Sequence, residues 1–430
     1  MKKIIVTALA LSLALAPTLG WAAGFRLQET GNAAQGQAHA VVAGVTDASS
    51  VYYNPAAMTE IGTYAAQAGF QFVDSNTQYE GPYSLRSANE TFAIPHVYVV
   101  KNFKEKGMAL GLGLFSNFGT GTNWPMNGPF RYEATLTELR TSTLNVNLAK
   151  KFGDKFSVAV GVDYMNSDVR YDSMYPFGAI VGSSVPDGIT NIKADGAAFG
   201  YNAALLIKPN SKIKIGLSYR SRIKTKFTGD IAINNFPGAL SPLLAARGIA
   251  GDDYKSSASM ELDYPDMLQL GIAVQVSDRL AVEIDVDYTG WSSYDQLEFK
   301  FAKPLVTPGG SALLPSTSVT KTDWGNTVAV KIGANYKYNG RTTLRVGFYN
   351  DPSPIPGDTL TPRLPGADRK LVSVGIGVKA TDNFTIDVAY ARLVSDTRNV
   401  DNSVGAPFSS VNGEYKSSTN IFGATVGYQF

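Results

Sequence analysis

"RLAVEIDVDYTGW", residues 279–291, carries Leu280, Val282, Ile284, Val286 and Tyr288 at every second position, with Ala281, Glu283, Asp285, Asp287 and Thr289 between them. A β-strand sends successive side chains to opposite faces, so one face is apolar and the other holds three carboxylates. A soluble sandwich would bury the apolar face in protein and wet the acidic one. A transmembrane barrel would turn the apolar face to lipid and the acidic face to a polar lumen. The rest of the chain chooses between the two.

The same alternation recurs almost end to end. Fourteen runs fall at about 63–79, 91–104, 107–119, 134–152, 156–171, 194–208, 212–229, 256–277, 279–301, 322–338, 341–351, 369–380, 383–395 and 413–430. Short turns at Lys104–Gly107, Gly153–Lys155, Pro209–Ser211, Asn339–Gly340 and Thr381–Asp382 alternate with long loops. An even strand number with short turns at one end and long loops at the other is the pattern of bacterial outer-membrane barrels. The faces agree. Phe156, Val158, Val160, Val162 and Tyr164 oppose Ser157, Gly161 and Asp163, while Val328, Val330 and Ile332 oppose Thr327, Lys331 and Asn335. In "NIFGATVGYQF" (420–430), Phe422, Val426, Tyr428 and Phe430 share one face. The expected fold is all-β: a closed barrel of 14 antiparallel strands over residues 63–430.

The N-terminus fits that compartment. Met1-Lys2-Lys3 precedes an apolar run to Leu19, and Gly20 and Ala22 sit at −3 and −1 of a cleavage site. Residues 1–22 therefore read as a secretory signal peptide, with a mature start at Ala23. No later stretch reaches the roughly 18 apolar residues of a spanning helix, and a closed barrel is the other structure that satisfies its backbone in lipid. A net charge of +2 argues against a nucleic-acid partner. With no cysteine, there is no disulfide framework and no thiolate chemistry.

Residues 23–62 do not alternate. "GNAAQGQAHAVVAGVTDASS" (31–50) is rich in small residues, and "VYYNPAAM" (51–58) contains a turn at Asn54-Pro55. Forty residues with few large apolar side chains are a poor independent domain. Their economical place is inside the barrel, as a partly helical plug.

The start "AGFRLQ" (23–28), the spaced Gly36, Ala38 and Asp47, and Asn54-Pro55-Ala56 resemble the FadL/TodX family of outer-membrane transporters for long-chain fatty acids and hydrocarbons. So do "FGTGTNW" (118–124) with "FRYEA" (130–134), "YTGWSSYDQL" (288–297), and Asp351, Pro354, Arg363, Pro365, Asp368 and Arg369. The resemblance spans the chain. It implies a fourteen-stranded barrel closed by a hatch that includes Ala23, Gly24, Phe25, Asn54, Pro55 and Ala56. It further implies capture of ligand at extracellular loops, transfer to a lumenal pocket near the mature N-terminus, and lateral exit at a kinked third strand.

Particular residues are candidates for each step. The long loops 171–188 and 231–250 carry Phe177, Ile180, Val181, Phe236, Leu240, Leu243 and Leu244, and contiguous apolar patches on water-facing loops mark binding sites. The alternative is that the two loops pack on each other as a cap. Leu240, Leu243 and Leu244 have helical spacing. In the seventh run, Lys212, Lys214, Arg220, Arg222, Lys224 and Lys226 oppose Ile213, Ile215, Leu217 and Tyr219. Taken as one inward ladder, they would attract a carboxylate, with Lys331 and Arg345 as further inward cations. The alternatives are a charged lumen lining paired with Glu283, Asp285 and Asp287, or, for the upper residues, a place beyond the membrane facing headgroups. In "GMALGLGLFSNFGTG" (107–121), Gly111, Gly113 and Gly119 mark either a kink or room for the plug; the resemblance favours the kink, with Asn54-Pro55-Ala56 expected near it.

Catalysis is not expected. His39 and His96 are the only histidines. One lies in the plug, and the other has no serine within two residues, so a nucleophile–base pair is missing. Two histidines without cysteine are equally poor for a transition metal, and no cofactor motif occurs. The expectation is a passive channel for hydrophobic molecules, most simply long-chain fatty acids. The alternative is uncharged aromatic or aliphatic hydrocarbons, and a general porin is disfavoured by the plug. Its surroundings would be outer-membrane lipids, lipopolysaccharide included. The terminal Phe430 resembles the recognition signal of the barrel assembly machinery.

Overall fold

The computed structural model describes residues 24–249, 253–307, 310 and 312–430. The expected leader (1–22) and Ala23 lie outside the described residues. Fourteen staves form the wall. They are β1 (Tyr64–Glu80), β2 (Glu90–Phe103), β3 (Met108–Phe115 and Gly119–Asn123), β4 (Leu136–Phe152), β5 (Phe156–Tyr175), β6 (Gly188–Asn210) and β7 (Ile213–Arg220 and Ile223–Asn234). Next come β8 (Tyr254–Tyr264 and Met267–Gln275), β9 (Leu280–Thr289 and Gln296–Phe301), β10 (Thr317–Lys321 and Thr327–Lys337), β11 (Thr342–Asp351), β12 (Arg369–Lys379), β13 (Phe384–Ser395) and β14 (Gly413–Gln429). Each stave pairs antiparallel with its neighbour, and β1 pairs with β14 from Ala65↔Gln429 to Glu80↔Glu414, closing the barrel. Closure leaves no terminal stave with a free edge in lipid, which is why the fold can span a membrane without helices.

The outer face is the apolar one. Val160, Val162, Leu144, Val146, Val328 and Val330 are exposed on it, at the cost a soluble protein would incur and a lipid-facing one does not. Aromatic rings ring its short-turn end, including Tyr64, Phe103, Phe152, Phe156, Phe384 and Phe430. This is the interfacial girdle of a transmembrane barrel.

Residues 24–62 fill the interior and are tied to opposite walls. Asn32 Nδ2 donates to Thr425 Oγ1 (2.8 Å) on β14, and Ala38 N donates to Ser373 Oγ (2.9 Å) on β12. Asn147 Nδ2 on β4 donates to Val51 O (3.0 Å). The sequence reading gives the acidic face of β9 to water; the structure gives it to this hatch. Asp285 Oδ2 accepts from Val41 N and Val42 N at 2.8 and 3.0 Å, and Glu283 Oε1 accepts from Ala43 N at 2.6 Å. Asp287 Oδ2 receives Arg26 Nη2 at 3.0 Å and stands 2.7 Å from Lys331 Nζ. All three carboxylates are buried. They satisfy backbone N–H groups and cations that burial would otherwise leave unpaired. Glycines let the hatch approach the wall. A Cβ on Gly347 would stand 2.2 Å from Gln37 C, and one on Gly216 would stand 2.4 Å from Val42 O.

Candidate functional site

The upper half of the barrel inverts its polarity. On β7, Ile213, Ile215, Leu217 and Tyr219 face out while Gly216, Ser218 and Arg220 face in. The stave breaks at Ser221–Arg222, and above the break the odd positions face in: Ile223, Thr225, Phe227 and Ile231 are buried. β8 breaks at Pro265–Asp266 with the same result, so that Met260, Leu262 and Tyr264 face in above it while Leu268, Leu270 and Ile272 face out below. Below the break the exterior is apolar and the interior holds the hatch; above it the interior is apolar and the exterior is charged.

This flip corrects the reading of a single basic ladder. Arg222 and Lys224 point outward and are solvent-exposed: Arg222 Nη2 is 3.7 Å from Asp266 Oδ1, and Lys224 Nζ is 2.9 Å from Glu261 Oε2. Lys226 shares their exposed parity. Arg220 does face in, but its Nη1 donates to both Asp163 oxygens (2.9 and 3.0 Å) and its Nη2 to Tyr52 O (3.0 Å). Lys331 is held by Asp287, and Arg345 Nη1 lies 2.7 Å from Asp387 Oδ1. These inward cations fasten hatch and wall.

The inverted half encloses an apolar vestibule of about 450 Å³, lined by Tyr171, Ile231, Leu262, Tyr294, Leu297 and Phe299 among others. Phe25 forms its floor. Its ring meets Trp291 (4.8 Å), Trp324 and Tyr294 (each 5.5 Å) and Phe118 (6.0 Å). Gly24 is required there, since a Cβ would stand 2.5 Å from Trp324 and 2.7 Å from Trp291. The two long loops pack together beside it. Phe177, Phe236 and Leu244 are buried, and the Phe177 and Phe236 rings meet edge-on at 5.1 Å. Leu240 and Leu243 are half-buried at a short helix (Ser241–Ala245), while Ile180 and Val181 stay exposed. The capping alternative thus describes three of the seven loop residues, and two remain open to solvent.

A gap in the wall lies beside the vestibule. β3 stops at Phe115 and resumes at Gly119. Its lower segment pairs with β2 from Val97↔Leu114 downward, whereas its upper segment pairs with β4 alone. Above, Ala88 N donates to Asn123 O (2.8 Å) and closes the gap. Between these points the β2 stretch around Ile94-Pro95 has partners on β1 but none on β3. Proline lacks an N–H and suits such an unpaired edge, a signal in the sequence that points to the gap. The break is held from inside by the hatch start: Leu27 N donates to Asn117 O and Gly119 N to Phe25 O, both at 2.9 Å. A cavity of about 630 Å³ runs from Gly24 and Arg26–Glu29 past Phe92, Thr120 and Gly121 to the outward Ser142. It shares Thr120, Leu139 and Leu364 with the vestibule.

The glycines divide between the two roles considered for them. Cβ atoms on Gly111 and Gly113 would strike Val51 of the hatch, with Met58 also against Gly111, so these two make room for the plug. Gly119 sits at the break, 2.9 Å from Leu27 Cδ1 by the same construction. Asn54-Pro55-Ala56, expected near the kink, has its partners elsewhere. Asn54 Nδ2 instead donates to Val42 O (2.8 Å) and to Leu205 O (3.1 Å) on β6, and its Oδ1 accepts from Ala56 N (3.1 Å). Its amide thus ties the hatch to itself and to β6. The kink belongs to Phe25–Leu27. A polar cavity of about 450 Å³ lies under the hatch, lined by Val45, Asp47, Lys337 and Lys379.

A transmembrane barrel with a hatch across its bore, an apolar vestibule above and a side gap between two staves is a channel for hydrophobic molecules. The family model described as "Outer membrane protein transport protein (OMPP1/FadL/TodX)" matches residues 13–430, and the chain belongs to that family. It is thus an outer-membrane transporter of hydrophobic molecules, and not an enzyme. It is 26% identical to the long-chain fatty acid transport protein of Escherichia coli O6:H1, over 99% of this chain and 98% of that one. Among solved structures it resembles a Pseudomonas aeruginosa FadL homologue (TM-score 0.83, 23% identity, 95% of this chain and 100% of that one). It also resembles the Ralstonia pickettii toluene transporter TbuX (TM-score 0.69, 16% identity, 94% and 99%).

Proposed function

We propose that this protein takes up long-chain fatty acids by capture at the outer loops, passage through the apolar vestibule and lateral exit through the gap between β2 and β3. The observation that carries this reading is the adjoining pair of cavities, which share Thr120, Leu139 and Leu364 and lead to the side of the barrel while the hatch crosses the bore. Ile180 and Val181, exposed on the outer loop, are the first contacts. Burial there is worth about 0.8 kcal/mol per methylene, so a long chain is concentrated without an energy source. Size favours a chain over a single ring. A cavity of about 150 Å³ already holds benzene, and each of these is several times larger. The relative from Escherichia coli O6:H1, a long-chain fatty acid transport protein, supports the same choice. The apolar exterior supports a setting among outer-membrane lipids, lipopolysaccharide included.

Ala93 and Ser142 face outward at the mouth of the gap. The double variant Ala93→Trp, Ser142→Trp should slow oleate uptake by cells while leaving equilibrium oleate binding to the purified protein unchanged. Uptake at the wild-type rate would overturn the lateral route. Binding of toluene but not oleate would move the substrate to uncharged hydrocarbons.

A further inference from the structure

We infer that Arg363 is the residue that reads the charged head of the ligand. This rests on the fatty-acid reading above and adds the group that separates a carboxylate from a hydrocarbon. Among the described lining residues of the vestibule, Arg363 is the cation and Glu133 the acid. The inward cations of the hatch and wall, Arg26, Arg220, Lys331, Arg345 and Arg369, each hold a carboxylate within 3.0 Å. Arg363 differs. Its guanidinium lies 5.2 Å from the Tyr171 ring centroid, and its Nη1 is buried without a hydrogen-bond partner. Among the described residues, no ion pair joins it to Glu133 or any other acid. A buried donor without a partner is costly, and an incoming carboxylate would supply one in the forked geometry that arginine favours.

The position is fixed by its neighbours. Trp124 Nε1 donates to Pro362 O (2.9 Å), and Thr122 Oγ1 donates to Arg363 O (2.9 Å), clamping the segment to the upper part of β3. Leu364, the next residue, lines both cavities. A head held at Arg363 leaves the acyl chain beside the passage from vestibule to gap, so the same residue that selects the ligand also aligns it for exit.

The test is equilibrium binding of oleate, methyl oleate and toluene to the wild type and to Arg363→Gln and Arg363→Lys in detergent. Loss of a charge-assisted bond should weaken oleate by about ten- to a hundredfold in Arg363→Gln, with Arg363→Lys between. Methyl oleate should bind all three proteins alike, which also shows that the variants are folded. Oleate binding unchanged in Arg363→Gln would overturn the assignment and leave the fatty-acid reading standing. A wild type that binds toluene but neither oleate nor its ester would remove the fatty-acid reading and this assignment with it.

Discussion

Asp285→Ala should loosen the hatch where it meets β9. The carboxylate accepts from two consecutive hatch amides, Val41 and Val42, and is fully buried between wall and plug. Each bond is worth about 1–3 kcal/mol, so removing both leaves two buried donors and costs roughly 2–6 kcal/mol of local stability. Glu283 still holds Ala43, so the opening is confined to a few residues rather than the whole plug. Hydrogen exchange of the Val41 and Val42 amides reads the change directly. Every 1.4 kcal/mol is tenfold, so exchange should accelerate at least about thirtyfold, while barrel amides keep their protection. Asp285→Asn, which retains an acceptor oxygen, should show a smaller effect. If the two amides exchange at the wild-type rate in Asp285→Ala, the carboxylate is not the anchor and the account of the acidic face fails.

Gly347→Val should be destabilised by at least the roughly 1–3 kcal/mol of an overpacked core, because the new side chain meets hatch backbone that cannot swing aside; chemical unfolding in detergent measures it, and admission of small sugars to liposomes reports a displaced hatch. Arg220→Ala leaves Asp163 buried without its cation and should cost about 3–5 kcal/mol in the same unfolding assay, with the preference for oleate over methyl oleate unchanged. In the hatch, burial holds the His39 imidazole well below its ordinary 6.5, with nearby Lys331 and Arg26 adding to the effect over the opposing pull of Asp287. Its neutral ring contacts Tyr53 Oη and Gln35 Oε1, each at 2.8 Å. Because the unfolded chain binds that proton more readily, the contribution is intact above pH 6.5 and declines as pH falls below it. Thermal unfolding from pH 7.5 to 5 should therefore drop less in His39→Gln than in the wild type.

Strands were legible because alternation is local: one residue in two meets lipid, and lipid tolerates few charges. Which face was inward in the upper half was not legible. On β7 the odd positions are largely apolar both at Ile213–Tyr219 and at Ile223–Ile233, and the even positions are largely polar or small throughout. The pattern continues unbroken while its meaning reverses, because the apolar surroundings change from lipid outside to ligand vestibule inside. The break at Ser221–Arg222 shifts the faces by one residue and leaves the apolar period intact. The seat of Asn54 was hidden for a different reason: its partners, Val42 O and Leu205 O, are backbone atoms with no residue signature. Arg363 stood in a loop whose neighbours in space, Tyr171 and Trp124, are about two hundred residues away in sequence. Pro95 was the missed clue to the gap, since a proline inside an alternating run marks a stave with one unpaired side.

The central claim is that ligand leaves sideways, past the hatch and not through it. A long-chain fatty acid bearing a terminal diazirine, bound to the protein in outer-membrane vesicles and photolysed during transport, would mark the route, with the labelled residues located by mass spectrometry. Lateral exit predicts adducts at Phe92, Thr120, Gly121 and Ser142 around the gap. Adducts concentrated at Val45, Asp47 and Lys379 beneath the hatch would show an axial path and contradict the account.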